Sequence, residues 1–121
     1  GVLTDNAPPD WHRSPPEVHA ACTEMAAICR EAGTNLAAVA LKYAVDYPRV
    51  AANVVGMSTA SRVERNIAAI GTPIPEGLLD ALLTIAQPIK NRMWFEGNPE
   101  NNILSSDPNA WIPRTPENTH K

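Results

Sequence analysis

Residues 51–66, AANVVGMSTASRVERN, join a short run of β-branched residues to the start of a polar helix. The run at residues 53–56 predicts a buried strand, because it is apolar on both faces and too short for a helix. Such strands are typical of a parallel sheet that helices cover on both sides. Ser58 and Thr59 are good N-cap residues, so a helix is expected over residues 60–70.

The turn between this strand and this helix predicts an anion site. Free backbone N–H groups and the positive end of the helix dipole both point over the turn. Arg62 follows within the first helical turn and adds a cation. A phosphate is therefore the expected ligand, and the alternative on these residues alone is that Arg62 is a solvated surface side chain.

Composition allows one small domain and argues against several kinds of partner. The chain has 121 residues, 44% of them hydrophobic and 5% aromatic, so a core would consist mainly of Ala, Val, Leu and Ile. A net charge of −3 argues against a nucleic-acid partner. No apolar run approaches the roughly 20 residues of a membrane span, and no signal peptide is recognisable, so no membrane partner is expected.

The two cysteines predict a reducing environment. Cys22 and Cys29 fall on one predicted helix and are separated by about 10 Å along its axis. That separation exceeds the reach of a disulfide. We therefore expect two reduced core thiols and a cytoplasmic protein.

Three further helices are predicted around the central strand. Residues 14–17, SPPE, form a capping box that begins a helix ending near Ala32, with Gly33 as its C′ residue. Thr34 or Asn35 is expected to cap the next helix, over residues 36–47. The last helix is expected over residues 75–87. Its buried side would carry Leu78, Leu79, Leu82, Leu83 and Ile85.

The single predicted strand has no partner within the chain. Buried backbone N–H and C=O groups cannot stay unpaired, and no second strand is predicted to pair with residues 53–56. The chain therefore reads as a piece of a larger α/β protein. The pattern fits a C-terminal fragment, about a quarter of a (β/α)₈ TIM barrel, incomplete as a stand-alone domain.

Three segments, in the right order, resemble the aldo-keto reductase family. They are GVLTDNAPPDWH with SPPEVHAAC at residues 1–22, VVGMSTASRVERN at residues 54–66 and IAQPIKNRMW at residues 85–94. Within the family they are similar to the aldose 1-dehydrogenases that act on L-galactose, L-fucose, D-threo-aldoses or D-arabinose. The resemblance covers residues 1–97 and leaves residues 98–121 as an unmatched polar, proline-containing tail.

This resemblance implies helix 7, strand 8, helix 8 and the C-terminal helix of the barrel. The implied activity is NAD(P)-dependent oxidation of an aldose at C1 to the lactone by hydride transfer. The family's catalytic tyrosine, lysine, aspartate and histidine belong to earlier strands, so no catalytic residue is expected in this chain. Tyr43 and Tyr47 are expected to pack in the core. The implied partners are a small-molecule sugar and the missing N-terminal part of the barrel.

The resemblance also places the adenosine end of the cofactor site in this chain. Arg62 would meet the adenosine phosphate or stack on adenine, and Asn66 would touch the adenine edge. Glu64 and Arg65 are expected on a solvated face. The residues implied to bind the cofactor are Gly56, Met57, Ser58, Thr59, Arg62 and Asn66.

The turn favours NAD over NADP. Residues 55–57 supply no cation, so a ribose 2′-phosphate would meet only Arg62 and the helix N-terminus. Strong phosphate recognition usually needs more charge-assisted donors than one arginine. We therefore expect NAD, with NADP possible.

Trp11 is the candidate substrate-pocket residue. It lies in a proline-rich loop that would stand at the catalytic face of a barrel, and a sugar ring packs well on an indole. The alternative is that Trp11 pins this loop to the barrel rim. No metal is expected, because no His, Cys and Asp residues have the spacing of a ligand set.

Two other classes of function remain open. The chain could be a stand-alone helical interaction module whose apparent strand is a linker, since four capped helices are compatible with a small bundle. It could also belong to a barrel used as a channel or regulatory subunit, as in some relatives of the aldo-keto reductases.

Overall fold

A computed structural model describes residues 2–6, 12–92 and 94 of the chain. Within these residues the regular structure is helical. It comprises the α-helices α1 (Pro16–Glu31), α2 (Leu36–Asp46), α3 (Ala60–Gly71) and α4 (Leu78–Ala86), and the short 3₁₀ helix Gln87–Ile89. The four predicted helices are confirmed. No described helix has both the length and the apolar character that crossing a membrane requires.

The first helix begins one residue later than the capping box predicts. Pro15 is the N-cap, Pro16 is the first helical residue, and no side chain caps the N-terminus. The hydroxyl of Ser14 instead lies 3.0 Å from His12 Nδ1 and is hydrogen-bonded to His19 Nε2. The predicted capping box is therefore wrong, because the two imidazoles engage the hydroxyl that would have capped the helix.

The end of α1 follows the sequence. Gly33 adopts a φ of 73°, and its N–H donates to the carbonyl of Arg30 at 3.0 Å. The N–H of Thr34 reaches back to the carbonyl of Cys29 at 2.9 Å. This pair of bonds is a Schellman motif, which needs the left-handed conformation that glycine adopts without strain.

The core lies between α1, α2 and α4. We call its nine buried residues the core cluster: Val18, Cys22, Met25, Ala26, Cys29, Leu36, Val39, Leu78 and Leu82. Cys22 and Cys29 are buried free thiols, as predicted. Leu83, predicted to be buried, is 43% exposed because it lies on a different side of α4 from Leu78 and Leu82.

The predicted strand is absent from this chain. Residues 52–58 have no regular secondary structure, and Val54 is fully exposed. The expectation of a buried strand is therefore wrong for the described residues, although a helical segment is consistent with a fragment of a larger α/β protein. The physical reason is that a strand exists only in a ladder, and no other described segment pairs with this one. A side-chain hydrogen bond joins this segment to α2: Asn53 Nδ2 donates to the carbonyl of Ala44, at 3.1 Å.

The tyrosines of α2 also lie outside the core. Tyr43 and Tyr47 are 38% and 37% exposed and contact each other edge to face, with ring centroids 6.1 Å apart. The buried residues of α2 are Leu36 and Val39, both in its first turn. Tyr43 continues that face one turn further, where the described neighbours do not cover it. The prediction that both rings pack in the core is wrong in this chain.

Candidate functional site

A groove of about 1020 Å³ lies between α2, α3 and the N-terminal segment 3–6. Its walls mix small apolar side chains with polar and charged ones, which suits a ligand that has both a ring system and charged groups. Its polar lining includes Asp5, Lys42, Arg62, Arg65 and Asn66.

The N-terminus of α3 forms one end of this groove. Thr59 has the extended backbone of an N-cap, with φ −142° and ψ 151°, and its Oγ1 accepts a hydrogen bond from the N–H of Arg62 at 3.3 Å. Thr59 is thus confirmed as the N-cap. This start sets the helical register, which places Arg62, Arg65 and Asn66 on one face because residues three and four apart are neighbours.

Arg62 is anchored at its backbone and at its side chain. Its Nη1 donates to Ser58 Oγ at 3.0 Å, and its N–H donates to Thr59. A guanidinium has five N–H donors, so this side-chain bond leaves most of them available to a ligand. Within the part of the chain that the structure describes, no carboxylate lies within 4.0 Å of it.

Arg65 lies one helical turn further along the same wall. Its Nε donates to the carbonyl of Ser61 at 3.2 Å, and the side chain lines the groove. Arg65 is exposed, as expected of a solvated face, and it lines the groove as well. The signal that could have identified Arg65 is its spacing of three from Arg62, which puts both cations on one face of the helix.

The groove concentrates positive charge in a chain whose net charge is negative. Lys42 is neutralised by Asp46, at 2.7 Å, and Asp5 faces Arg30 at 3.5 Å. Arg62 and Arg65 have no such partner among the described residues. Unpaired cations in a groove attract anions from solution, and anionic groups of a ligand would be held there.

The six residues expected to bind a cofactor take different places around this groove. Gly56, Arg62 and Asn66 line it. Ser58 and Thr59 stand at the helix start and hold Arg62. Met57 is 46% exposed in the turn. A Cβ added at Gly56 would meet no atom within 4 Å, so the turn has room for a larger side chain.

Trp11, the predicted substrate-pocket residue, is outside the described residues. Its neighbour His12 packs near Trp94, with ring centroids 6.1 Å apart. The N–H of buried Ser14 donates to His12 Nδ1 at 3.3 Å, which helps to tie residues 12–15 to the start of α1. In the segments 2–6, 12–92 and 94, no three His, Cys, Asp or Glu residues cluster as a metal site would require.

Comparison with known proteins places the chain in a family context. Residues 3–84 match the model of the Aldo/keto reductase family. The L-galactose dehydrogenase of Arabidopsis thaliana is 32% identical over 105 residues, a match that covers 84% of this chain and 33% of the relative. The chain thus spans about a third of the length of this curated relative.

Proposed function

The chain belongs to the aldo/keto reductase family, and on that premise we propose that it is part of an NAD(P)-dependent aldose 1-dehydrogenase. The proposed reaction is oxidation of an aldose such as L-galactose, L-fucose or D-arabinose at C1 to the lactone. The similarity to an L-galactose dehydrogenase supports this substrate class. The proposed location is the cytoplasm, which suits two buried free thiols.

The observation that carries the proposal is the groove beside α3. Gly56, Arg62 and Asn66 come from the family-like motif at residues 54–66, and all three line it. Their chemistry fits the adenosine phosphate end of a nicotinamide dinucleotide, since guanidinium donors suit phosphate oxygens and an amide suits a base edge. When bound, the cofactor supplies the hydride acceptor. The residues of this chain bind and orient it.

The exposed apolar surface supports the proposal that the chain is the C-terminal quarter of a TIM barrel. Val54 is fully exposed, and the apolar residues Val63, Ile67 and Ile70 of α3 are exposed as well. Apolar surface of this kind suits burial against further strands and helices of a barrel. The proposed partner is accordingly the remainder of the barrel, which would carry the acid–base residues.

Arg62→Ala in the complete enzyme tests the proposed cofactor site. The contact is remote from the reacting carbon and contributes equally in the ground and transition states, so cofactor KM should rise while kcat stays unchanged. One charge-assisted contact is worth roughly 1.5–3 kcal/mol, or about ten- to a hundredfold in affinity. Steady-state kinetics over a range of cofactor concentrations measures both constants.

Arg49→Ala is the matched control for that experiment. Arg49 is also exposed, but it stacks on Tyr47 and is not among the residues lining the groove. Its loss should leave both kinetic constants unchanged. Unaltered cofactor affinity in Arg62→Ala would show that Arg62 is an ordinary solvated side chain. It would also remove the support that the groove gives to the proposal.

The same proposal has a consequence for these 121 residues alone. They should turn over no sugar, because the acid–base residues are proposed to lie in earlier strands. Turnover of L-galactose or L-fucose with NAD by the purified chain would contradict that placement.

A second candidate function is a helical interaction module without catalysis. The core cluster favours it, because α1, α2 and α4 bury a common core within this chain. Thermal melting followed by circular dichroism, together with the sedimentation mass, tests this alternative. A cooperative monomeric melt in a chain that binds no nucleotide would favour the module over the barrel segment.

A further inference from the structure

We propose that Arg65 is a second phosphate-binding residue of the groove and that, with Arg62, it makes the site prefer a nucleotide carrying a 2′-phosphate. This inference rests on the proposed function, since it concerns the same cofactor site. It reverses the preference for NAD that the turn sequence predicts. The reversal comes from the placement of Arg65, which lines the groove although its sequence context indicates a solvated face.

The first support is the shared position of the two arginines. They are three residues apart on α3, so their side chains leave the same face of the helix, and both line the groove. Each side chain donates a hydrogen bond to a residue four positions earlier, Ser58 for Arg62 and Ser61 for Arg65. These bonds use one donor of each guanidinium and orient both side chains along the helix.

The second support is electrostatic. Two like charges one helical turn apart repel each other and weaken the helix unless an anion lies near them. Among the described residues no carboxylate stands within 4.0 Å of either guanidinium. Glu64 is adjacent in sequence to Arg65 and therefore points to a different face of α3. An anion held by both arginines would relieve this repulsion.

The third support is the chemistry of the ligand that two guanidinium groups suit best. A phosphate monoester carries a charge between about −1.5 and −2 near neutral pH and has three strong acceptor oxygens. Two planar guanidinium groups can each donate to such a group. The free 2′-hydroxyl of NAD is neutral and would gain little from a second cation. Arg65 therefore contributes selectively to binding of the 2′-phosphate.

Chemical-shift titration of the isotope-labelled chain with 2′,5′-ADP and with 5′-AMP tests this inference. These probes differ by the 2′-phosphate alone, and the method tolerates weak binding. We expect the chain to bind 2′,5′-ADP about tenfold more tightly than 5′-AMP. Arg65→Gln should weaken 2′,5′-ADP binding by about tenfold and leave 5′-AMP binding nearly unchanged.

Two further variants make the result specific. Arg65→Lys keeps the charge and should retain part of the preference, whereas a purely structural role of the side chain would not depend on charge. Glu64→Gln is the control for a change of charge on α3: it alters the charge by one unit in the opposite direction, away from the groove, and it should leave the ratio of the two affinities unchanged. Selectivity should also fall as salt concentration rises, because ions screen exposed charges.

The possible outcomes separate this inference from the proposed function. If neither nucleotide binds, the proposed cofactor site fails and Arg65 loses its role with it. If both nucleotides bind with equal affinity, or if Arg65→Gln weakens both to the same extent, the groove still binds nucleotide but the role of Arg65 is overturned. A preference that disappears in Arg62→Gln but persists in Arg65→Gln would overturn it as well.

Discussion

Two regions of the chain are rich in similar aliphatic residues but bury them to opposite extents. They are the core cluster and the segment from residue 50 to the end of α3. Core residues such as Cys29 and Leu36 are 0% and 2% exposed, because α1, α2 and α4 cover one another. In α3 no residue is buried, and Ile67 is 66% exposed. The difference shows that an apolar pattern leads to burial only where the chain also supplies the surface that covers it.

The less buried region is also the one that carries the candidate site. The polar face of α3 holds Arg62, Arg65 and Asn66, while Val63, Ile67 and Ile70 form a separate apolar stripe. One face can then bind a ligand while the other is available for packing. The proposed barrel would use both faces at once.

The largest expected effect comes from a pair of truncations, one in each region. Leu82→Ala removes a buried side chain of the core cluster and should lower the free energy of unfolding by about 2–5 kcal/mol. Ile67→Ala removes a mostly exposed side chain and should change it by less than about 0.5 kcal/mol. Urea unfolding monitored by circular dichroism measures both values. Similar losses at the two positions would show that α3 is buried as deeply as the core.

The N-caps of α2 and α3 provide a smaller test of the same contrast. Asn35 Oδ1 accepts from the N–H of Ala38 at 2.9 Å, and Asn35→Ala should cost about 0.5–2 kcal/mol of global stability because α2 contributes to the core. Thr59→Ala should instead fray the first turn of α3 with little effect on global unfolding. Amide hydrogen exchange resolves the two cases, since fraying raises exchange in α3 alone. Uniformly faster exchange in Thr59→Ala would mean that both regions unfold together.

Local features of this fold could be predicted from the sequence, and burial could not. Helix starts and ends depend on a few neighbouring residues, so Gly33 was assigned correctly, and Asn35 and Thr59 were each one of two N-cap candidates. Burial of residues 53–56 depends on a pairing strand, and burial of Tyr43 depends on how far the adjacent helices extend along α2. Neither dependence is visible in a hydrophobic pattern.

The candidate site was predictable to a similar extent. Arg62 and Asn66 follow from the helix start and the family-like motif, and the structure places both beside the groove. Arg65 was missed because its sequence neighbours are charged, which is the ordinary pattern of a solvated face. The capping box failed for a related reason: two histidines that engage Ser14 come from outside its four-residue motif.

The thiols of the core cluster should report its burial through pH. Burial raises the pKa of Cys22 above its ordinary value of 9.0; burial and then Asp5 raise that of Cys29, while Arg30 lowers it. At a pH below this ordinary pKa, the thiols are neutral in both the folded and the unfolded chain. As pH rises past this pKa, the unfolded chain loses its thiol protons before the folded chain does. The free energy of unfolding therefore falls.

Urea unfolding at about pH 8 and about pH 10 measures this fall in the free energy of unfolding. The double variant Cys22→Ala with Cys29→Ala should show a smaller fall. In the native chain, Ellman's reagent at about pH 8 should modify both thiols slowly, and urea should make the reaction fast. Immediate modification without urea would contradict a closed core around Cys22 and Cys29.

Val54→Asp should have the smallest effect on the stability of this chain. It also distinguishes the chain by itself from the proposed complete barrel. Val54 is fully exposed here, so a charge stays hydrated and the free energy of unfolding should change by less than about 0.5 kcal/mol. In a complete barrel the same side chain would be buried in the eighth strand, where an unpaired charge should prevent soluble expression. Comparing the soluble yield and urea unfolding of both forms tests this. A soluble, native-like barrel carrying Val54→Asp would show that Val54 is not part of the barrel wall.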